Sequence, residues 1–105
     1  MNLLFICTEN KLRSATAEAV FSEYEGVAAI GAGTNKDAAT TVSGDLIEWA
    51  DVIFVMDQIH KNKVTRKYRD LLKGKHLVCL DIPDRFKYMD TELVKILKKK
   101  VANHI

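Results

Sequence analysis

A cysteine and an arginine stand six positions apart in the segment FICTENKLRSATAE, residues 5–18. Cys7 follows the apolar run Leu3–Ile6, which has the length and composition of a buried strand. Arg13 and Ser14 come next, at the start of a segment of small residues with helical spacing. The pattern predicts a strand, a short loop and a helix, with the thiol at one end of the loop and the guanidinium at the other.

The predicted loop has the features of an anion site. A loop that enters a helix leaves backbone N–H groups unpaired and meets the positive end of the helix dipole, a combination that binds oxyanions. A thiol in this field is favoured as the thiolate, and Arg13 offers a planar fork of donors to two phosphoryl oxygens. Ser14 can donate a hydrogen bond to the sulfur. Together these residues predict a nucleophile beneath a bound phosphate whose equatorial oxygens are held by N–H groups and Arg13.

The rest of the chain indicates how these residues are positioned. Four apolar segments have the character of buried strands: Leu3–Ile6, Val27–Ile30, Asp51–Asp57 and His76–Leu80. Four segments have helical spacing: one that ends at Gly26, one capped by Ser43, one that ends at Gly74 and one that begins near Asp90. Alternating strands and helices favour a parallel sheet with helices on both faces. We therefore predict one α/β domain over residues 1–105, a three-layer sandwich with four parallel strands, with Cys7 at the carboxyl edge where such sheets bind ligands.

Composition and charge restrict the functional class. No apolar run approaches the roughly 20 residues of a membrane span, so no membrane partner is expected. Residues 1–56 hold three basic and eight acidic side chains, whereas residues 57–105 hold thirteen and six. We interpret this split as lysine-rich helix surfaces rather than as a nucleic-acid site. The three histidines are scattered and give no metal-ligand spacing, and two cysteines in an ordinary chain favour a reduced, cytoplasmic setting.

Four segments together resemble one known family. CTENKLRSATAE, GAGT, ADVIFVMD and IPDRF resemble the signature loop, the second-strand motif, the third strand and the acid loop of the low-molecular-weight protein tyrosine phosphatases, in family order. The chain is most similar to a compact bacterial member. The resemblance implies a flavodoxin-like fold and a cysteine-dependent phosphomonoester hydrolase that acts through a phosphocysteine intermediate. It further implies a phosphotyrosine protein as substrate, no cofactor and no metal, and phosphate, sulfate or vanadate as occupants of the loop.

The resemblance also implies roles for individual residues. Cys7 would be the nucleophile and Arg13 the phosphate clamp, while Asn10 braces the loop and Ser14 steadies the thiolate. The phosphate-binding loop would comprise Thr8, Glu9, Asn10, Lys11, Leu12 and Ser14. Two residues are candidates for the general acid: the IPDRF motif points to Asp84, which we prefer, and a position directly after the fourth strand points to Asp81.

The chain departs from the family pattern at the loop and near the acid. Glu9 replaces the usual loop glycine, so its carboxylate must turn away from a bound dianion, and Lys11 can offset its charge. Arg85 and Phe86 replace the proline and tyrosine of the acid loop. Arg85 is therefore a candidate for altered substrate choice or for binding a second anionic group.

Three other readings remain open. An arsenate reductase-like enzyme shares the fold and loop but relays oxidation through further cysteines, and this chain has only Cys79, in a predicted buried strand. A sugar-transport phosphocarrier also places a cysteine after its first strand, but has no need for Arg13. A non-catalytic module that binds phosphate or phosphoproteins is favoured by Glu9, and a turnover assay separates it from the enzyme.

Overall fold

Four parallel strands alternate with four helices in the computed structural model, which describes residues 1–105. The elements are β1 Asn2–Cys7, α1 Arg13–Phe21, β2 Ala28–Gly33, α2 Gly44–Trp49, β3 Val52–Val55, α3 Gln58–Tyr68, β4 His76–Cys79 and α4 Thr91–Val101, followed by a 3₁₀ turn at Ala102–His104. The strand order across the sheet is β2-β1-β3-β4, with every pair parallel. This arrangement confirms the predicted α/β class.

Helices cover both faces of the sheet because side chains of β1 alternate between them. Leu3, Phe5 and Cys7 belong to a core shared with α1 and α4, whereas Leu4 and Ile6 belong to a second core shared with α2 and α3. On the first face, the ring of Phe5 stacks between two other phenylalanine rings, with centroid distances of 5.1 and 5.4 Å. The two cores form the predicted three layers and fix the position of β1.

The ends of several elements differ from the predictions. Helix α1 ends at Phe21, earlier than predicted, and turns lead to Gly26, whose φ of +75° suits glycine. Strand β2 continues through Gly31–Gly33 instead of ending before them, because these residues pair in register with Phe5–Cys7. Strand β4 is an edge strand and is only partly buried, so the prediction that Cys79 lies in a buried strand is wrong.

The topology places the carboxyl end of β1 at a switch point of the sheet. The chain leaves β1 for α1 on one face, and it leaves the neighbouring strand β3 for α3 on the other face. Such a divergence opens a crevice where ligands bind in open α/β sheets. Cys7 is the last residue of β1 and therefore lies at this crevice. None of the helices combines the length and apolar character needed to cross a lipid bilayer.

Candidate active site

An open cavity of about 330 Å³ lies at the carboxyl end of β1. Its wall comprises Cys7, Thr8, Glu9, Lys11, Leu12, Arg13 and Asp84. The structure therefore brings together the thiol, the guanidinium and one of the two candidate acids from distant parts of the sequence. Asn10 and Ser14 are not part of the wall and instead contact the sulfur and each other.

Hydrogen bonds from the loop converge on the sulfur of Cys7. The backbone N–H of Asn10 donates to Sγ at 3.2 Å, and the hydroxyl of Ser14 lies 2.9 Å from it. Ser14 also donates to Asn10 Oδ1 at 2.6 Å. Because Ser14 has a single hydroxyl proton, it can donate to the sulfur only if the Asn10 amide turns to present its NH₂ to Ser14. The single proton of Ser14 is therefore shared between two possible acceptors, Asn10 Oδ1 and the sulfur of Cys7.

The glycines of β2 provide the space in which the loop lies. A Cβ on Gly31 would stand 2.5 Å from Asn10 Oδ1 and 2.7 Å from the carbonyl oxygen of Ser14. A Cβ on Gly33 would stand 2.5 Å from the carbonyl oxygen of Thr8. Only residues without a side chain allow this close approach of loop and strand. The sequence predicted that these glycines end the second strand, but their role depends on the packing of the loop against β2.

Arg13 is a buried charged residue, with 4% of its surface exposed. Its Nη1 donates to the carbonyl oxygen of Ile82 at 2.8 Å, and its Nε lies 3.7 Å from Asp84 Oδ1. The hydrogen bond to the carbonyl of Ile82 fixes one edge of the guanidinium and leaves its other N–H donors for the cavity that Arg13 lines. A buried guanidinium without a full complement of partners favours an anionic occupant of that cavity.

The two candidate acids occupy different environments. Asp84 lines the cavity and has a side chain that is 65% exposed, so its carboxyl can reach a ligand from solvent. Asp81 does not line the cavity, has a φ of +51°, and accepts a hydrogen bond from the thiol of Cys79 at 3.3 Å. Its backbone carbonyl is also near the ammonium of Lys100, at 3.4 Å. The structure thus groups Asp84, and not Asp81, with Cys7.

Charged side chains border the mouth of the cavity. Glu9 and Lys11 form an exposed ion pair with an N–O distance of 3.3 Å. Arg85, by contrast, does not line the cavity, because its guanidinium lies 4.4 Å from the ring centroid of Phe86 and 3.7 Å from the carboxylate of Glu92. Lys11 is therefore placed to offset the charge of Glu9, while Arg85 belongs to the acid loop and α4.

One residue that contacts the loop was missed by the sequence analysis. His60 is 1% exposed, and its Nε2 lies 2.9 Å from Oγ1 of Thr8. It was weighed only as a metal ligand, and no group of three or more potential ligands is present. Aspartate is a preferred N-cap residue, and Asp57 and His60 form a capping box at the start of α3. That signal predicts the cap but not the contact with Thr8.

The second thiol lies away from the cavity. Ile6, Val55 and Cys79 are in register on three adjacent strands, so about 10 Å separates the first from the last. Cys7 follows Ile6, and a disulfide requires Cα atoms within about 7 Å, so the two cysteines cannot pair without backbone movement. Burial raises the pKa of the Cys79 thiol, which favours its protonated form.

No protein-family model matches the chain, and no curated protein matches it in sequence. Solved structures match it over nearly its whole length. The low-molecular-weight protein tyrosine phosphatase SP-PTP from Streptococcus pyogenes is 14% identical with a TM-score of 0.78, covering 99% of this chain and 93% of its own. The tyrosine phosphatase Wzb from Escherichia coli, in complex with phosphate, is 18% identical with a TM-score of 0.75, covering 97% and 94%.

A third similar structure is the YwlE arginine phosphatase from Geobacillus stearothermophilus. It is 21% identical with a TM-score of 0.71, covering 97% of this chain and 86% of its own. At such identities the likeness shows a shared fold. The comparison therefore confirms the predicted fold class.

Proposed function

We propose that this chain is a cysteine-dependent phosphomonoester hydrolase of the low-molecular-weight protein tyrosine phosphatase type. The observation that carries the proposal is the common cavity wall of Cys7, Arg13 and Asp84. It combines a nucleophile, a fixed cation for phosphoryl oxygens and a carboxyl group for proton transfer. The phosphatases of the same fold, one of them in complex with phosphate, support this proposal.

The first half of the proposed reaction transfers the phosphoryl group to the enzyme. The thiolate of Cys7 attacks phosphorus, so an S–P bond forms as the P–O bond to the leaving group breaks. Arg13 and the backbone N–H groups of the loop stabilise the equatorial oxygens of the phosphoryl group. No side chain caps the start of α1, so its first N–H groups are free to donate to these oxygens. The Asp84 carboxyl gives its proton to the leaving oxygen and becomes a carboxylate.

The second half returns the enzyme to its starting state. A water molecule attacks phosphorus and transfers a proton to the Asp84 carboxylate, while the S–P bond breaks and its electron pair returns to sulfur. Inorganic phosphate leaves and the Cys7 thiolate is restored. The Ser14 hydroxyl and the Asn10 N–H contact the sulfur, so they stabilise the thiolate as nucleophile and as leaving group.

The proposed substrate is a protein phosphorylated on tyrosine, and the proposed location is the cytoplasm, where the thiol nucleophile stays reduced. A phosphoarginine protein is a second candidate. The acidic residues Glu9 and Asp84 line the cavity and favour a cationic group next to the phosphoryl group, and the wall contains no aromatic side chain. The likeness to an arginine phosphatase also supports this candidate.

The test is to measure hydrolysis of a panel of phosphorylated substrates in the presence of EDTA. We expect hydrolysis of p-nitrophenyl phosphate by the wild type, and a rate lower by roughly several orders of magnitude in Cys7→Ser, because a serine hydroxyl is hardly ionised. Cys79→Ser is the matched control and should retain activity. Phosphotyrosine and phosphoarginine peptides in the same panel decide the substrate class. Phosphate binding without turnover of any substrate would identify a non-catalytic binding module instead.

A further inference from the structure

His60 joins helix α3 to the loop that follows β1. It is the third residue of α3 and is buried, while Thr8 is exposed to the cavity and directly follows Cys7. One ring nitrogen, Nδ1, accepts the backbone N–H of Asp57 at 3.1 Å. The other, Nε2, lies 2.9 Å from Thr8 Oγ1. The imidazole thus spans from the helix cap to the cavity wall.

The two contacts determine where the protons lie. Because Nδ1 accepts the Asp57 N–H, the proton of the neutral ring is on Nε2, which donates to the hydroxyl oxygen of Thr8. The Thr8 oxygen is then occupied as an acceptor on that side. Its own proton is left to donate elsewhere, and the residue lines the cavity. This tautomer therefore makes Thr8 a hydrogen-bond donor toward an anion in the cavity.

We propose that His60 is a positioning residue for phosphate binding, acting through the hydroxyl of Thr8. It holds the first residue of the loop after Cys7 and directs the Thr8 proton to a phosphoryl oxygen. The inference rests on the proposed function in taking phosphate as the ligand, but it concerns binding and not turnover.

The surrounding charges support a neutral imidazole. Burial and the nearby guanidinium of Arg13 lower the pKa of His60 from 6.5 to about 4, and Lys63 acts in the same direction. The carboxylates of Asp57 and Asp84 oppose this effect without reversing it. At neutral pH the ring therefore remains in the form that accepts from Asp57 and donates to Thr8.

The helix cap alone does not account for this arrangement. A capping box needs only an acceptor at the third helical position, which a glutamine side chain supplies. The donor at Nε2 is not used by the cap, and a buried donor requires a partner. Its partner is a loop residue, so the imidazole connects two elements where a simple cap would serve one.

The test is calorimetric titration of the folded chain with inorganic phosphate. We expect Thr8→Val to weaken phosphate binding about tenfold, since it removes a donor to a charged ligand, and Thr8→Ser to recover most of the loss. His60→Gln keeps a residue suited to the cap and should weaken binding about threefold or more. In the Thr8→Val background, the same His60→Gln change should have no further effect. His76→Gln, on the exposed edge strand, is the matched control.

Wild-type phosphate affinity in His60→Gln, or full additivity with Thr8→Val, contradicts the inference. If His60→Gln fails to fold, ¹⁵N NMR of the wild-type imidazole decides: we expect the Nε2-protonated tautomer, with an Nε2 resonance that shifts on adding phosphate in the wild type but not in Thr8→Val. A different tautomer, or equal shifts, contradicts it. A wild type that binds phosphate but hydrolyses no substrate contradicts the proposed function and leaves this inference standing. A wild type that does not bind phosphate contradicts both.

Discussion

Substitution of Gly31 by alanine is a sharp test of how β2 holds the loop. Gly31 lies within β2 and pairs with Phe5 of β1. The added Cβ would stand 2.5 Å from Asn10 Oδ1 and 2.7 Å from the Ser14 carbonyl oxygen. Ordinary contacts at a Cβ begin near 3.4 Å. The loop and the first turn of α1 must therefore move by several tenths of an ångström to about 1 Å to accommodate it.

The expected magnitude follows from this displacement. Overpacking of a filled site costs about 1–3 kcal/mol, which leaves a domain of ordinary stability folded at 25 °C. A displacement of about 1 Å in the catalytic geometry can lower the rate roughly 100-fold. We therefore expect Gly31→Ala to reduce kcat/KM for p-nitrophenyl phosphate by about two orders of magnitude while the chain stays folded, because Asn10 and Ser14 both contact the sulfur.

The assay combines turnover kinetics with urea unfolding followed by circular dichroism. Gly44→Ala is the matched control, since its Cβ would meet only the flexible end of Leu71, at 3.1 Å, away from the cavity. It should leave kcat/KM near the wild-type value. Wild-type kinetics in Gly31→Ala would refute the argument that β2 positions the loop. An activity loss matched by the unfolded fraction would refute the argument that the loss comes from displaced catalytic groups.

Three further predictions concern the other groups of the site. In initial-rate assays, Arg13→Lys should lose nearly as much activity as Arg13→Ala. One ammonium cannot both donate to the carbonyl oxygen of Ile82 and present a planar fork of donors to the phosphate. Recovery of most of the activity by lysine would contradict this prediction. Asp84→Asn should slow phosphotyrosine hydrolysis on the order of 10²–10⁴-fold, and it should slow hydrolysis of an ester with an acidic leaving group much less. Asp81→Asn should show no such contrast between the two substrates, and the reverse pattern would assign the general acid to Asp81. The pKa of His60 falls from 6.5 to about 4 on folding, so the unfolded chain binds the proton more tightly than the folded chain does. The free energy of unfolding should therefore decrease by about 3 kcal/mol as the pH falls from 6.5 toward 4. The matched curve for His60→Gln, measured by urea unfolding, should lack this component, and superimposable pH profiles would contradict it.

The sequence predicted those parts of the site that depend on local chain order. Cys7, Arg13 and Ser14 lie on one strand–loop–helix segment, so their residue types and spacing were enough to infer an anion site beneath a helix N-terminus. The α/β fold could be predicted from hydrophobic periodicity, because apolar strand-like segments alternate along the chain with segments of helical spacing. The α2 cap at Ser43 was also predictable, since a serine before a short apolar helix is typical of an N-cap, and its hydroxyl accepts from the N–H of Leu46.

Other parts of the site could not be predicted because they depend on packing between distant segments. The close approach of Gly31 to the loop arises from the pairing of β1 with β2. The contact of His60 with Thr8 requires α3 to start beside the loop, 52 residues away in sequence. Asp81 and Asp84 lie in one irregular segment with no periodicity, so the sequence alone could not determine which of them faces the cavity.

The central claim is that Cys7 carries the phosphoryl group during turnover. Its most direct test is rapid acid quenching of the wild type during steady turnover of p-nitrophenyl phosphate, followed by mass spectrometry of the intact chain and of the peptide that contains Cys7. We expect a fraction of the chain to carry one phosphoryl group on Cys7, with a larger fraction in Asp84→Asn, where activation of water is impaired. Turnover without any adduct on Cys7, or an adduct on another residue that persists in Cys7→Ser, would contradict the account.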